Sequence, residues 1–248
     1  MTGMVIADRP SPNHDARARA VDLLVIHYTG MEPAERALAW LCDPQSKVSA
    51  HYLIDQQGAV TRMVAEDRRA WHAGVAWWRV GPNESDDVNS RSIGIELANP
   101  GHEFGYEDFP EPQLAALIEL ATGILGRHAI APRNVVAHSD VAPGRKIDPG
   151  ERFPWPRLAD AGIGFWPDDW TSPGAMGANI DLADTLAAIG YPVAQAGLAA
   201  CTDAFCRHWH PQAIGPDGEP ITGEETLADT RNRAAALLAQ LAADPALS

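Results

Sequence analysis

Short aliphatic runs bounded by turn-forming residues predict strands in the first two thirds of the chain. The runs are Val21 to His27, His51 to Ile54, Ala59 to Arg62, Ser92 to Leu97 and Asn134 to His138. The second and third flank a turn at Gln57-Gly58 and therefore predict a hairpin. The first and last runs both end in a histidine, and the fourth carries a glutamate near its end.

Helical periodicity separates these predicted strands. Helices are predicted at Pro33 to Cys42 and at Glu111 to Ala129, and the second opens on an acidic residue, as a helix N-terminus favours. Because predicted strands alternate with predicted helices, we expect an α/β fold with a mixed central β-sheet flanked by helices.

The pattern changes after residue 165. Phe165 to Asn179 is rich in Pro, Gly and Asp, which is typical of a linker. Three helices are predicted beyond it, the last preceded by a capping-box pattern of Thr222 and Glu225; they are Asp181 to Ile189, Cys201 to Trp209 and Glu224 to Leu241. We therefore predict an α/β catalytic domain at residues 1–172 and a small all-α domain at 173–248. We expect a chain cut after about Asn179 to leave the first domain folded.

Composition limits the partners and the compartment. The 248 residues include 33 acidic side chains against 19 Lys and Arg, and the net charge of -14 argues against nucleic acid as a partner. The best candidate for a membrane-spanning segment, Leu114 to Leu125, is short and carries Glu119 in its middle, so no integral membrane association is expected. Three cysteines form an odd set without a disulfide framework, and no export signal is recognisable at the start, so we predict a cytoplasmic protein.

Two histidines and one aspartate form a candidate metal site. His27 and His138 each end a predicted strand, and Pro-Gly turns at 143–144 and 149–150 would fold Asp148 back beside His138. Two imidazoles and a carboxylate are a ligand set that suits a catalytic zinc with one open position. A core histidine and a turn aspartate explain the same spacing, because no HExxH or CxxC motif is present.

Two further groups of reactive residues are interpreted as structural. Residues 138–140 spell His-Ser-Asp, but neighbouring side chains on an extended chain point to opposite faces and cannot form a serine-hydrolase triad. The second group is spread around a predicted helix and is interpreted as packing thiols and surface histidines; it contains Cys201, Cys206, His208 and His210.

Five segments together resemble a known family. They are VIHYT (25–29), SAHYLI (49–54), AWHAG (70–74), SIGIELAN (92–99) and AHSDVAPGRKIDPG (137–150). Their order and local form resemble the zinc-dependent N-acetylmuramoyl-L-alanine amidases of type 2, with the closest likeness to the AmpD and AmiD branch. The resemblance covers about residues 20–160 and implies the type 2 amidase fold. The segment AFCRHWHP (204–211) is similar to the helical peptidoglycan-binding-like domain that follows the catalytic domain in AmiD.

The resemblance implies a role for each residue that matches the family motifs. It makes His27, His138 and Asp148 the ligands of Zn²⁺, Glu96 the catalytic acid and base, and Lys146 the oxyanion partner. The chemistry asks for these types, since bound zinc acidifies a water molecule and a carboxylate can take its proton. Some relatives have a catalytic tyrosine just before the histidine of SAHYLI. Ala50 stands there in this chain, so Glu96 would carry the proton transfers alone.

The implied activity is hydrolysis of the amide bond between N-acetylmuramic acid, in its 1,6-anhydro form, and L-alanine in peptidoglycan fragments. A binding module that has lost catalysis and a zinc peptidase acting on the stem peptide are the alternatives. The AmiD-like helical region at residues 173–248, called the tail below, adds the periplasm as an alternative compartment. Substrate contacts are predicted for a set of polar and aromatic residues near the motifs, for which core packing is the competing explanation; they are Trp71, His72, Arg79, Asn89 and Arg91.

Overall fold

The computed structural model of the protein describes residues 4–80, 83–85, 87–170 and 181–247. The predicted domain boundary at 172–173 and the last part of the predicted linker, up to Asn179, lie outside these residues. The division into two domains therefore stays a prediction.

Ten short strands form within the described residues. They are β1 (Ile6–Asp8), β2 (His14–Ala16), β3 (Leu23–Tyr28), β4 (Tyr52–Ile54), β5 (Val60–Arg62), β6 (Arg68–Ala70), β7 (Trp78–Val80), β8 (Asn83–Ser85), β9 (Ser92–Leu97) and β10 (Val135–Ala137). Six of them make the central sheet in the order β1-β5-β4-β9-β3-β10. The β4–β5 pair is antiparallel, and the other four pairs are parallel. Two antiparallel pairs, β2–β6 and β7–β8, lie outside this sheet.

Ten α-helices accompany the strands in the same described part of the chain. They are α1 (Ala34–Leu41), α2 (Val88–Arg91), α3 (Gly101–Phe104), α4 (Glu111–Arg127), α5 (His138–Val141), α6 (Trp155–Asp160), α7 (Leu182–Ile189), α8 (Val193–Ala196), α9 (Leu198–Trp209) and α10 (Glu224–Ala243). Helices thus flank a mixed sheet, as the sequence predicted. No helix in the described ranges combines the length and the apolar character needed to cross a membrane.

Helix α4 covers one face of the central sheet. Leu117, Leu120 and Ile124 recur at helical spacing and are buried in one cluster with Ile26 of β3 and Ile95 of β9. Side chains alternate along a strand, so the neighbouring residues of β3 and β9 point to the opposite face. That opposite face carries the polar residues on which the site is built.

The described residues after position 180 pack on the sheet face opposite to α4. They share one buried cluster with the sheet, which includes Leu23, Val25 and Val136 from the strands and Leu186, Phe205 and Leu237 from α7, α9 and α10. Burial of this much apolar surface is the main favourable term in folding. The described residues after position 180 therefore share a common core with the central sheet.

The predicted elements are confirmed in type, with two corrections. The aliphatic runs contain β3, β4, β5, β9 and β10, and the hairpin is the β4–β5 pair. His138 does not end a strand but begins α5, because the Asp140 carboxylate accepts a hydrogen bond from the Ala137 amide and stabilises a helical turn there. Thr222 does not cap α10, whose N-cap is Gly223 without a side-chain hydrogen bond.

Candidate metal centre and active-site cleft

Parallel strand pairing brings the reactive residues to one edge of the sheet. Strands β10, β3 and β9 run in the same direction, so their carboxyl ends lie together. His27 near the end of β3 is the register partner of Glu96 in β9, and His138 follows directly after β10. Open α/β sheets bind ligands outside the carboxyl ends of their strands.

Three buried side chains converge at this edge. Nδ1 of His27 lies 2.9 Å from Nδ1 of His138, and the two nitrogens lie 3.2 and 3.0 Å from Oδ2 of Asp148. A loop closed by the hydrogen bond from the Ser139 amide to the Asp148 carbonyl brings the aspartate back, as the two Pro-Gly turns predicted. Among the described residues, this is the one group of three that could hold a metal ion.

The hydrogen bonds behind His138 determine which of its ring nitrogens carries the proton. Nε2 of His138 lies 3.1 Å from the carbonyl oxygen of Ala73, which can only accept. Nε2 therefore carries the hydrogen in the neutral ring, and Nδ1 presents a lone pair to the cluster. Arg145 donates to the same carbonyl and, over 2.8 Å, to that of Val75, which holds this acceptor in place.

A longer relay determines the tautomer of His27. The Ser92 hydroxyl donates to the Val88 carbonyl over 2.6 Å, so its oxygen accepts from Nε2 of His72 at 2.9 Å. Nδ1 of His72 is then an acceptor, and Nε2 of His27 donates to it over 3.0 Å. His27 consequently also presents an unprotonated Nδ1 to the cluster.

The protonation states agree with this relay. Burial and the neighbouring His138 lower the pKa of His27 to about 4, so the ring is neutral at neutral pH. Burial lowers the pKa of His72 well below its ordinary value. Burial alone would raise the pKa of Asp148, but interactions with His138 and His27 outweigh it and hold that pKa far below its usual range. The cluster thus combines a neutral imidazole of His27 with the ionised carboxylate of Asp148.

A metal cation fits this arrangement. Three lone-pair atoms at mutual distances of 2.9–3.2 Å, with no proton between them, repel one another unless a positive ion lies among them. A tetrahedral zinc with bonds of about 2.0–2.1 Å needs ligand atoms roughly 3.3 Å apart, close to the separations found. The donor set also matches zinc, for which neutral imidazole and carboxylate are common ligands.

A cleft opens beside the cluster and contains both predicted catalytic residues. It encloses about 510 Å³ and is lined by His72, Glu96, His138, Lys146 and Asp148, among others. Burial, and then the negative charge of Asp148, raises the pKa of Glu96 well above its ordinary value. Oε2 of Glu96 is buried and has no hydrogen-bond partner among the described residues. Such a carboxyl group suits proton transfer to a bound reactant.

The cleft is lined by both charged and apolar side chains. The lining includes the cationic side chains Arg145 and Lys146 as well as the large apolar side chains Met31, Trp40 and Val48. Trp40 is 46% exposed although it belongs to α1, a helix whose other face is buried. Trp40 was not among the residues predicted from the sequence to contact substrate.

A family model described as N-acetylmuramoyl-L-alanine amidase matches residues 17–151, more than half of the chain. The chain belongs to this amidase family. It is 43% identical to AmiD of Escherichia coli over 160 residues, an alignment that covers 60% of this chain and 55% of AmiD. It is 34% identical to the 1,6-anhydro-N-acetylmuramyl-L-alanine amidase AmpD of the same organism over 168 residues, covering 60% of this chain and 87% of AmpD. The chain thus aligns with little more than half the length of AmiD.

The likeness to a solved amidase extends over nearly the whole chain. The complex of Escherichia coli AmiD with anhydro-N-acetylmuramic acid-L-Ala-D-γ-Glu-L-Lys has 35% sequence identity and a TM-score of 0.73. That comparison covers 93% of this chain and 94% of the AmiD chain, so it includes the helical tail. The amidase fold predicted from the motifs is confirmed.

Not all of the predicted substrate-binding residues reach the cleft. Of the five, His72 lines it, but both of its ring nitrogens are used in the relay to His27. Arg91 is 4% exposed and pairs with Asp22, and Asn89 accepts hydrogen bonds from the backbone amides of His72 and Ala73. Neither side chain is part of the lining of the cleft, and a substrate contact for either stays a prediction.

The other two predicted substrate contacts, Trp71 and Arg79, are not part of the lining of the cleft either. The indole nitrogen of Trp71 is buried without a hydrogen-bond partner among the described residues. Arg79 lines a separate pocket of about 110 Å³ together with Trp77, Trp78 and Tyr191. His51 is fully buried and accepts a hydrogen bond from the Gly94 amide, so it has a structural role.

Proposed function

We propose that this chain is a zinc-dependent amidase that hydrolyses the bond between N-acetylmuramic acid, in its 1,6-anhydro form, and L-alanine. The observation that carries the proposal is the convergence of three unprotonated ligand atoms in one cleft with Glu96 and Lys146. The names of the relatives support the substrate, since AmpD is a 1,6-anhydro-N-acetylmuramyl-L-alanine amidase and AmiD was solved with an anhydro-muramyl tripeptide.

The residues of this chain divide the chemical work. His27, His138 and Asp148 would hold the zinc ion, which when bound supplies Lewis acidity and lowers the pKa of water. Glu96 takes the proton of the water that attacks the amide carbonyl and then returns it to the alanine nitrogen as the C–N bond breaks. Lys146 donates to the oxygen that gains negative charge on attack. The products are a free muramic acid carboxylate and an intact stem peptide.

The cleft lining suggests how the substrate lies. The stem peptide carries carboxylates, and the cationic side chain of Lys146 complements them in spite of the net charge of -14. The exposed indole of Trp40, which lines the same cleft, offers a flat apolar surface to the sugar. We therefore place the sugar against Trp40 and the peptide along Lys146.

The direct test is the mass of the products formed from purified anhydro-muropeptide. An amidase releases anhydro-N-acetylmuramic acid and the whole stem peptide, whereas a stem peptidase leaves a shortened peptide on the sugar. A binding module leaves the substrate intact. Either of the last two results would overturn the proposal.

The variant Glu96→Gln separates chemistry from metal binding. Removal of the carboxylate should lower turnover by roughly 10²–10⁴, while zinc content and substrate binding remain. His27→Ala is the matched variant that should lose zinc as well as activity. If Glu96→Gln lost its zinc, Glu96 would be a ligand and the role assigned to it would be wrong.

The compartment belongs to the proposal as well. We place the reaction in the cytoplasm, on soluble wall fragments, and the three free cysteines support a reducing environment. Fractionation of native cells tests this, and recovery of the protein from the periplasm would overturn the location without affecting the chemistry.

A further inference from the structure

Two consecutive residues of α9 are buried against residues 140–155, which follow the last strand of the central sheet. Arg207 is 4% exposed and His208 is 1% exposed, which is unusual for such polar side chains on a helix near the end of a chain. The sequence pattern around them, AFCRHWHP, has no role in the proposed reaction. Their contacts show what they hold.

His208 reaches the segment that carries the ligand His138. Its Nδ1 lies 2.6 Å from Oδ2 of Asp140, which is fully buried and two residues after that ligand. The same carboxylate oxygen accepts from the Ala137 amide over 2.8 Å, the bond that starts α5 at His138. The His208 ring is fixed in turn, because Trp155 stacks on it at a centroid distance of 3.8 Å.

Arg207 reaches the segment that carries the ligand Asp148. Its Nη1 donates to Oε2 of Glu151 over 2.8 Å, three residues after that ligand. The other nitrogen, Nη2, donates over 2.7 Å to the carbonyl of Gly218, so the guanidinium is held from the tail side as well.

A relay from Glu151 leads to the third ligand segment. Nε2 of His102 lies 3.1 Å from both Glu151 oxygens, and Nδ1 of His102 accepts from the Tyr28 hydroxyl at 3.0 Å. Tyr28 is the neighbour of the ligand His27 in β3. Buried charged groups joined in this way have few alternative arrangements, because loss of a partner leaves a charge without solvation.

We propose that α9 is a positioning element of the metal centre, and that Arg207 and His208 hold the three ligand-bearing segments at the spacing zinc requires. This role rests on the proposed zinc site. It gives the helical tail a part in catalysis that needs no contact with glycan. Neither residue touches the ligands themselves, so both act through Asp140 and Glu151.

The test measures zinc affinity in the full chain by competition with a chelator, without substrate. His208→Asn and Arg207→Met should each weaken zinc binding by roughly tenfold, the low end of the effect of residues that orient metal ligands. Tyr191→Phe is a milder variant, since it removes only the 2.6 Å hydrogen bond from the Tyr191 hydroxyl to Oδ1 of Asp140. It should weaken zinc binding in the same direction and keeps the test usable if the other two variants do not fold.

His210→Asn is the matched control. His210 is also a buried histidine bound to an aspartate, but its partner is Asp229 at 2.9 Å, within the tail. It should lose stability to a similar degree and keep zinc affinity within about twofold. Equal losses of zinc affinity in His208→Asn and His210→Asn would show a general structural effect and overturn the inference, as would unchanged affinity in all three test variants.

The same assay distinguishes failure of the inference from failure of the proposed function. If the unsubstituted protein binds no zinc, or if His27→Ala binds it as well as the unsubstituted protein does, the metal site itself is wrong. If the unsubstituted protein binds zinc, His27→Ala does not, and the α9 variants equal the unsubstituted protein, only the positioning role is wrong.

Discussion

The orientation of His27 depends on a residue that has no side chain. Gly94 lies in β9 directly beside the His72 ring, and a Cβ at this position would lie 2.5 Å from Cγ of that ring. No Cβ approaches another carbon so closely, so the ring would have to move. The absence of a side chain at Gly94 therefore leaves room for the relay from Ser92 to His27.

Gly94→Ala should consequently weaken zinc binding by roughly 10–100-fold, because displacement of His72 removes the acceptor that fixes the His27 tautomer. The measurement is chelator competition on the folded variant. Gly126→Ala is the control, since a Cβ there, near the end of α4, meets no atom within 4 Å. It should leave zinc binding unchanged and raise helix stability by at most about 1 kcal/mol. Normal zinc affinity in Gly94→Ala would contradict the role of His72.

At this scale the sequence predicted the groups that form the candidate metal centre and its cleft but not those behind them. His27 and Glu96 lie near the ends of recognisable strands and His138 directly follows one, so local patterns were enough to find them. Ser92 and the carbonyl of Ala73 act only through contacts with residues distant in sequence. A single serine and a backbone carbonyl oxygen form no sequence pattern from which such contacts could be predicted.

Among the elements, the C-terminal end of α4 is joined to the sheet through the carboxylate of Glu66. Glu66 follows β5, and Arg127 and His128 at the end of α4 donate to it over 2.7 Å each, as Tyr52 of β4 does over 2.8 Å. Burial alone would raise the pKa of Glu66, but these three hydrogen bonds outweigh it and lower the pKa to about 2. An unfolded chain returns this carboxyl to its ordinary value near 4.5.

The contribution of Glu66 to stability should therefore be present above about pH 5 and disappear as the pH falls from 4.5 towards 2. Glu66→Gln should lower the free energy of unfolding by roughly 2 kcal/mol at pH 7, and the difference from the unsubstituted protein should shrink with acid. Urea unfolding at several pH values measures it.

Glu111→Gln is the control for this series. Glu111 pairs with Arg157 at the surface with a side-chain exposure of 67%, and such pairs contribute little to stability. It should leave the free energy of unfolding unchanged throughout. A constant gap between Glu66→Gln and the unsubstituted protein down to pH 2 would mean that the charge of Glu66 does not stabilise the fold.

Element positions were predictable where apolar periodicity was strong and unpredictable where strands were short and polar. The spacing of Leu117, Leu120 and Ile124 predicts α4. The first residue of this helix, Glu111, was also predicted correctly. The three-residue strands β2 and β6 are rich in charged residues and pair only with each other. Their pairing depends on tertiary neighbours, so the local pattern could not reveal them.

At the scale of the whole molecule, the common core decides whether the tail can be removed. The sequence suggested that residues beyond the linker form an accessory domain, yet Val25 and Val136 of the sheet are buried with Phe205 and Leu237 of the tail. A linear pattern could show where the strands end and the helices begin. It could not show that the two parts bury their apolar faces against each other.

Deletion of residues 181–248 should therefore yield an insoluble or unfolded protein, because it exposes one face of the central sheet to water. Deletion of residues 245–248 is the control and should leave a folded protein, since Pro245 to Leu247 contribute no buried residue. Soluble yield, circular dichroism and zinc content measure the outcome. A folded, zinc-binding protein that ends at residue 180 would restore the interpretation as an accessory domain.

Helix α9 also carries two thiols, and burial raises the pKa of Cys201 to about 12 and that of Cys206 to about 11. Thiolates are the species that alkylating reagents attack, and Cys201 is fully buried in the cluster that α9 shares with the sheet. Its side chain should therefore react only in molecules in which the tail has separated from the sheet. The labelling half-life of Cys201 therefore reports how often the tail separates from the sheet. In the proposed zinc site, the closed state is the one that binds zinc. Added zinc should therefore slow the labelling of Cys201 by mass action, although the reagent does not contact the metal site.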